Sequence, residues 1–410
     1  MRLLSPRGAV AAVLSAALLV ATPAVTATAA PAAPARVGHV TFVGASLTAS
    51  GATLTIDWSD VKGAAAYEVF AAPSADGVFA QKTPRMTVTG SKAKIERLKT
   101  GADYFVQVRA VSSAGVAGLR SQRVGHGTMV AESAKTSALT TYRTVSWNVC
   151  SYACSGIAKR TPIINKRLAT LKPDLVALQE ASRYTKAPTG YRFVVNGQND
   201  ILVRSGQFST IKEKGTSKDA DTRGAVKFPR KYATPGQGAA WAALKHRSGS
   251  YVVVFDAHLL AGTGKSQVAQ REYEAGRLKV FISSTLTKLQ KRYGSLTNWK
   301  KVPVIIMGDL NSHKSRSNDD TIAVFEKSGW YDAFDQARSL TKQHFNTANP
   351  TMQAAPVRGG WWGDHVDKVL VRPSRSIVYT WANAGSFSKG RFVTPLGSDH
   401  HPLMVTLGIR

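Results

Sequence analysis

The sequence predicts two folded regions of different class: an all-β sandwich, then a larger α/β four-layer sandwich of two packed β-sheets flanked by helices. Three observations carry that expectation. The chain has 410 residues, long for one domain. Residues 37–122 alternate apolar and polar positions in short runs cut by Gly, Asp and Ser turns, the period of half-buried strands. From Tyr142 onward, strands such as "YRTVSWNV", "DLVALQEA", "SYVVVFDAHL" and "VPVIIMGDLN" are interspersed with helical periodicity, the mark of helices covering sheets.

Taken in order, residues 1–30 read as a secretory signal peptide. Arg2 and Arg7 form a positive start, Ala9 to Ala21 an apolar stretch, and Ala27-Thr28-Ala29 a small-residue cleavage site. Later apolar runs are too short to span a bilayer. A secreted, soluble mature protein is expected, and the Ala-rich leader suggests a bacterial source.

Residues 37–122 contain "ATLTIDWSDVKGAAAYEVF" and "LKTGADYFVQVRAV". Trp58, Tyr67 and the Leu98, Gly101, Tyr104 spacing resemble a fibronectin type III domain. The resemblance implies a core Trp58 and a Tyr104 at a strand corner. Nothing here has catalytic spacing, so a spacer or a binding module of unknown ligand is expected. Residues 123–141, rich in Gly, Ala, Ser and Thr, read as a linker.

Residues 142–410 form the third region. Ile163, Ile164, Leu168 and Leu171 recur at helical spacing before Pro173 stops the run, and "SQVAQREYEAGRLKVFISSTLTKLQKRY" reads as a long helix. "AGTGKS" (261–266) only hints at a phosphate loop, because Leu259 stands where the first glycine is needed. Cys150 and Cys154, the only cysteines, read as a disulfide clip on a loop in an exported protein.

Charge is unevenly spread. The whole chain carries +29; residues 140–410 hold 40 basic and 18 acidic residues, a net of +22, whereas residues 37–126 hold 10 and 6, only +4. A basic extracellular surface suits nucleic acid or an anionic phospholipid membrane.

The strand ends are chemically unusual for a core. They deliver Asn148, Glu180, Asn199–Asp200, His258 and Asp309–Asn311, while Asp367 begins a strand and Asp399–His400 precede the last one. Residues i and i+2 of an extended segment share a side, so Asp309 and Asn311 reach one point. Each residue alone has a structural explanation as a turn, a cap or a buried histidine. Together they describe a pocket at one edge of packed sheets.

Trp147-Asn148, Gln179-Glu180, His258-Leu259, Gly308-Asp309-Leu310-Asn311, Asp367 with Leu370-Val371, and Ser398-Asp399-His400 resemble, in order, the motifs of the exonuclease–endonuclease–phosphatase (deoxyribonuclease I-like) superfamily. That resemblance implies a metal-dependent phosphoric ester hydrolase. Glu180, with Asn148 and Asp399, would hold Mg²⁺ or Mn²⁺, a choice that suits hard oxygen ligands. His400 would serve as general base or neutralise the phosphate, oriented by Asp367. His258 would donate to a phosphoryl oxygen, and Asp309 and Asn311 would place the water and the phosphate. His401 is set aside, since the motif uses the first histidine. Asn199, Arg223, Lys227 and Arg230 are expected to bind substrate.

The superfamily leaves the substrate open. An extracellular nuclease is expected from the charge and from Arg183, Tyr184, Lys186, Phe228, Lys231 and Tyr232, as interleaved cations and aromatics track a strand and stack its bases. The alternatives are a sphingomyelinase-like phospholipid phosphodiesterase seated through Trp361 and Trp362, a phosphomonoesterase, or a non-catalytic adhesin. A monomer is expected.

Overall fold

The computed structural model describes residues 31–130, 140–213, 216, 218, 221–314, 316, 318–349, 364–388 and 391–409. The expected signal peptide and the Trp361–Trp362 pair lie outside these residues. Residues from Ala33 to Arg410 form one compact unit.

Near the N-terminus, Thr41–Thr48, Gly51–Asp57 and Lys92–Leu98 build a three-stranded antiparallel sheet. Met86–Val88, Ala66–Ala72, Asp103–Val111 and Val124–Gly127 build a four-stranded one. Trp58 and Tyr67 are buried and meet edge-on with ring centres 5.4 Å apart. The Tyr104 hydroxyl accepts the backbone N–H of Lys99 at 3.1 Å. One expectation needs correction. Val124–Gly127, inside the stretch read as linker, is a strand paired to Asp103–Val111, and Thr140 already begins the next region. Gly and His composition hides this strand, whose formation rests on the open edge beside it rather than on its own propensity.

The sandwich is packed against the second folded region. Gly127 and Val130 donate their backbone N–H groups to Asp335 Oδ1 and Gln336 Oε1 at 3.0 and 3.1 Å. Lys314 reaches back to Asp103 at 3.2 Å, and the His126 ring lies 4.4 Å from that of Phe334. A Cβ on Gly127 would stand 2.4 Å from the Asp335 carboxyl carbon, so only glycine allows this approach.

This second region holds two large sheets. One runs Tyr191–Val195, Asn199–Arg204, Leu175–Gln179, Thr140–Asn148, Leu403–Ile409, Ser376–Asn383, Ala337–Thr341. The other runs Phe208–Thr210, Gly238–His246, Tyr251–His258, Val304–Asp309, Asp367–Val371, Tyr331–Asp332, with Arg223–Val226 also on Gly238–His246. Strand side chains alternate between faces. Leu175, Ala177, Ile201, Val252, Val254, Ile305 and Met307 therefore meet between the sheets. The opposite parity points outward: Val176, Leu178 and Leu202 pack on Ile164 and Leu168 of the helix Ile157–Leu171. Phe255 and Ile306 pack on Ala275, Leu278 and Ile282 of the helix Lys265–Tyr293. The result is helix, sheet, sheet, helix. The segment that hinted at a phosphate loop is the entry to the long helix, with Gly264 at its N-cap.

Candidate active site

Parallel pairing brings strand ends together. Asn148 is level with Gln179 and His258 with Asp309; Asp367, starting an antiparallel strand, is level with Asp309. The close fit of His258 and Asp309 depends on Gly308, at φ +152°, where a Cβ would lie 1.8 Å from the Ala257 carbonyl oxygen. Just beyond the strand ends, Cys150, Glu180 and Asn311 adopt left-handed φ values of +46°, +52° and +50°. Such conformations cost of order 1–3 kcal/mol in residues other than glycine. They turn the chain sharply, which keeps the polar side chains at the sheet edge.

Asn148 is the hub. Its Nδ2 donates to Glu180 Oε1 at 3.0 Å and to Asp309 Oδ2 at 3.1 Å, while its Oδ1 accepts from the Cys150 N–H at 2.9 Å. Asp309 Oδ2 also faces two imidazoles, with Nε2 of His258 and Nε2 of His400 each 3.7 Å away. Its other oxygen accepts the Asn311 N–H at 3.0 Å, and the Asn311 amide donates to Leu259 O at 3.0 Å. His400 Nδ1 lies 2.9 Å from Asp367 Oδ2. Burial opposes charge on His400, but the carboxylates of Asp367, Asp309 and Asp399 prevail and lift it to about 10. Asp367 moves above the usual carboxylate range, because complete burial outweighs the His400 charge.

The carboxylates fit a divalent cation. Glu180 and Asp309, from different sheets, converge on one neutral amide and offer hard oxygen donors, with the imidazoles of His258 and His400 3.7 Å from Asp309. Asp309, Asp367 and His400 form a second close group, with donor atoms within 4.8 Å of one another. Asp399 accepts from the Ser398 hydroxyl at 3.1 Å and approaches Cys150 and Cys154. Those two are joined as a disulfide and offer no thiolate.

Beneath this layer lies another. Gln179 donates to Asp256 Oδ1 at 2.6 Å, and Asp256 is held well above the usual carboxylate range by burial. Asn199, expected to bind substrate, is buried and level with Gln179.

The expected cationic loop divides. Gly238, paired with His258, packs on the Lys227 backbone, so Lys227 stands at the site edge. Lys227 and Arg230 are exposed. Arg223 is level with Ala242, three residues below the pair formed by Val226 and Ala239, roughly 10 Å down the strand. Tyr184 and Phe228, expected to stack bases, are core residues. Their hydrophobic contacts within the fold outcompete exposure, and sequence spacing does not separate the two roles. His401 is buried with its ring 3.5 Å from that of Phe392, and burial lowers it to about 3.

Two contributors are illegible in the sequence. The Thr347 hydroxyl accepts the Asp367 N–H at 3.2 Å, and its carbonyl accepts the His401 N–H at 2.8 Å. Arg160 is almost wholly buried and donates to the carbonyls of Val149, Cys150, Cys154, Ser155 and Gly397. No motif announces either one.

A family model described as Endonuclease/Exonuclease/phosphatase family matches residues 145–400. No curated protein matches the chain. Among solved structures, an endonuclease/exonuclease/phosphatase family protein from Bacteroides thetaiotaomicron is similar at 16% identity, covering 66% of this chain and 96% of its own, with a TM-score of 0.48. TDP2 from D. rerio, complexed with a single-strand DNA product, is similar at 17% identity over 66% and 99%, TM-score 0.42. The human Nocturnin catalytic domain, with bound sulfate, is similar at 16% identity over 66% and 95%, TM-score 0.43.

Proposed function

Because the chain belongs to the Endonuclease/Exonuclease/phosphatase family, we propose that it is a secreted, divalent-metal-dependent phosphodiesterase that cleaves nucleic acid. The observation that carries this reading is the convergence of Asn148, Glu180, His258, Asp309 and the Asp367–His400 pair at one end of the two sheets.

Glu180 would hold Mg²⁺ or Mn²⁺ with Asp309 close by, the pair spaced by the Asn148 amide, and the bound cation would supply Lewis-acid stabilisation of phosphoryl and leaving oxygens. Asp309 orients the attacking water and accepts its proton through Oδ2, while its Oδ1 stays fixed by the Asn311 N–H. Asp367 holds the His400 ring so that Nε2 faces the reacting phosphate. The lifted pKa of His400 favours an imidazolium that neutralises phosphate charge over a free base. His258 donates from the other side, and the Asn311 amide is oriented by Leu259 O. Fixed donors aimed at developing charge are the largest usual contribution to such catalysis.

The net charge of +22 over residues 140–410 supports a polyanionic substrate. Exposed Lys227 lies toward the His258 side, and Arg230, three residues on, is exposed as well. Export is supported by the leader sequence and by the Cys150–Cys154 disulfide, a bond that persists in oxidising compartments.

The test is Mg²⁺-dependent hydrolysis of duplex DNA, RNA and sphingomyelin liposomes by the mature chain, with His400→Ala as control. Nucleic-acid cleavage lost in the variant supports the reading. Cleavage of lipid alone overturns the substrate assignment and keeps the hydrolase.

A further inference from the structure

The loop between Cys150 and Cys154 is built more firmly than a connection requires. The disulfide closes it, and Arg160 fills the carbonyls on both sides of it. The Ser151 N–H donates to Glu180 O at 2.9 Å, and the Ser151 hydroxyl accepts the Arg183 N–H at 2.9 Å. The Cys150 N–H binds the Asn148 side chain. Two site residues, Asn148 and Glu180, are thus tied directly to this loop.

What the loop presents is Tyr152, a large aromatic residue left 67% exposed. The Arg183 guanidinium carbon lies 4.5 Å from its ring centre. The side chain buries little, so packing does not explain a scaffold this rigid.

We propose that Tyr152, with Arg183 beside it, is the subsite that stacks one unpaired nucleobase next to the scissile phosphate. The assignment rests on the nuclease reading above and narrows it to single-stranded or frayed nucleic acid, since a base must leave its stack to meet a protein aromatic. A planar, electron-rich base matches an aromatic face flanked by a guanidinium. A sugar has no π-face to offer. A quaternary ammonium headgroup would meet the positive charge of Arg183, which disfavours choline lipids at this point. The exposed Tyr232, with Lys231 5.0 Å from its ring centre, repeats the aromatic–cation pairing on the loop that leads toward His258.

The experiment compares wild type, Tyr152→Ala and Tyr152→Phe on a single-stranded oligonucleotide and on the same strand carrying abasic residues on both sides of the cleaved bond. Loss of one stacking contact is expected to raise KM about tenfold in Tyr152→Ala, with kcat within twofold. Tyr152→Phe should match wild type. Without the flanking bases, the Tyr152→Ala penalty should disappear. The subsite is overturned, and the nuclease reading kept, if Tyr152→Ala cleaves the base-bearing strand with unchanged KM, or is equally impaired on both strands. A wild type that hydrolyses lipid or small phosphate esters and leaves every strand intact overturns both.

Discussion

Glu180 and Asp309 come from opposite sheets yet share one hydrogen-bond donor, Nδ2 of Asn148, at 3.0 and 3.1 Å. A neutral amide holds two carboxylates together that would otherwise repel, and it fixes the spacing of the pair proposed above to meet a cation. Removing a partner that orients a metal ligand typically costs 10- to 100-fold in metal affinity, and removing the ligand itself at least as much. Glu180→Gln and Asn148→Ala should each weaken Mg²⁺ or Mn²⁺ binding by about that factor in calorimetry, and chelation should abolish hydrolysis until metal is restored. Unchanged affinity in Glu180→Gln would remove Glu180 from the donor set.

His400 titrates near 10 because three carboxylates overcome its burial. A histidine raised on folding stabilises the native state fully below its unfolded value of about 6.5. That contribution is lost as pH rises through about 10. In metal-free protein, the stability gap between wild type and His400→Ala should therefore narrow between pH 7 and 10, as read by denaturant unfolding. A gap independent of pH in this window would contradict a charged His400.

Asp200 shows the same sign of pH dependence in a more acidic window. Burial raises it to about 8, against the Gly197 N–H at 2.6 Å, which favours the ionised form. The unfolded chain releases this proton near pH 4 and the folded chain near pH 8, so stability falls with rising pH across that window. Asp200→Asn keeps the acceptor for Gly197 and cannot ionise. It should raise stability at pH 7 by a few kcal/mol, on the order of 1.4 kcal/mol for each pKa unit removed, and flatten the pH dependence of the melting temperature. A destabilised Asp200→Asn would show that the buried group is charged.

Lys314 meets Asp335 at 2.7 Å, Glu326 at 2.8 Å and Asp103 at 3.2 Å. Asp335 is buried, and removing one partner of a buried pair leaves an uncompensated charge. Lys314→Met should cost about 3 kcal/mol, and a second change, Asp335→Asn, should recover part of it. Additive losses in the double variant would deny the coupling.

Much of this molecule was legible because strands end where chemistry begins. The run Val304–Asp309 reads as a core strand with a polar tip, its neighbours His258 and Asp367 stand level with that tip, and Asn148 and Glu180 follow the same rule in the facing sheet. The helices over 157–171 and 265–293 were visible in their apolar spacing. Other features had no local signal. Tyr184 and Phe228 look like surface aromatics in a basic loop, yet packing buries them. Tyr152 sits in an ordinary-looking turn, and only the disulfide and the Arg160 hydrogen bonds show why it is displayed. Arg223 carries the right charge at the wrong height on its strand. Thr347 acts through a backbone contact that no spacing encodes.

The seam between the N-terminal sandwich and the rest has a consequence for how such a protein is cut or recombined. The stretch that matches the family model, residues 145–400, is shorter than the stretch that shares one core, which reaches from Val37 to Ile409. Trimming the gene at the bounds of that match would strip cover from Phe334 and leave Asp335 and Gln336 without the Gly127 and Val130 amides that bind them. Grafting on a foreign sandwich would fail for the same reason, unless the newcomer also placed a glycine against Asp335. The stretch that the family model matches and the stretch that shares one core have different bounds.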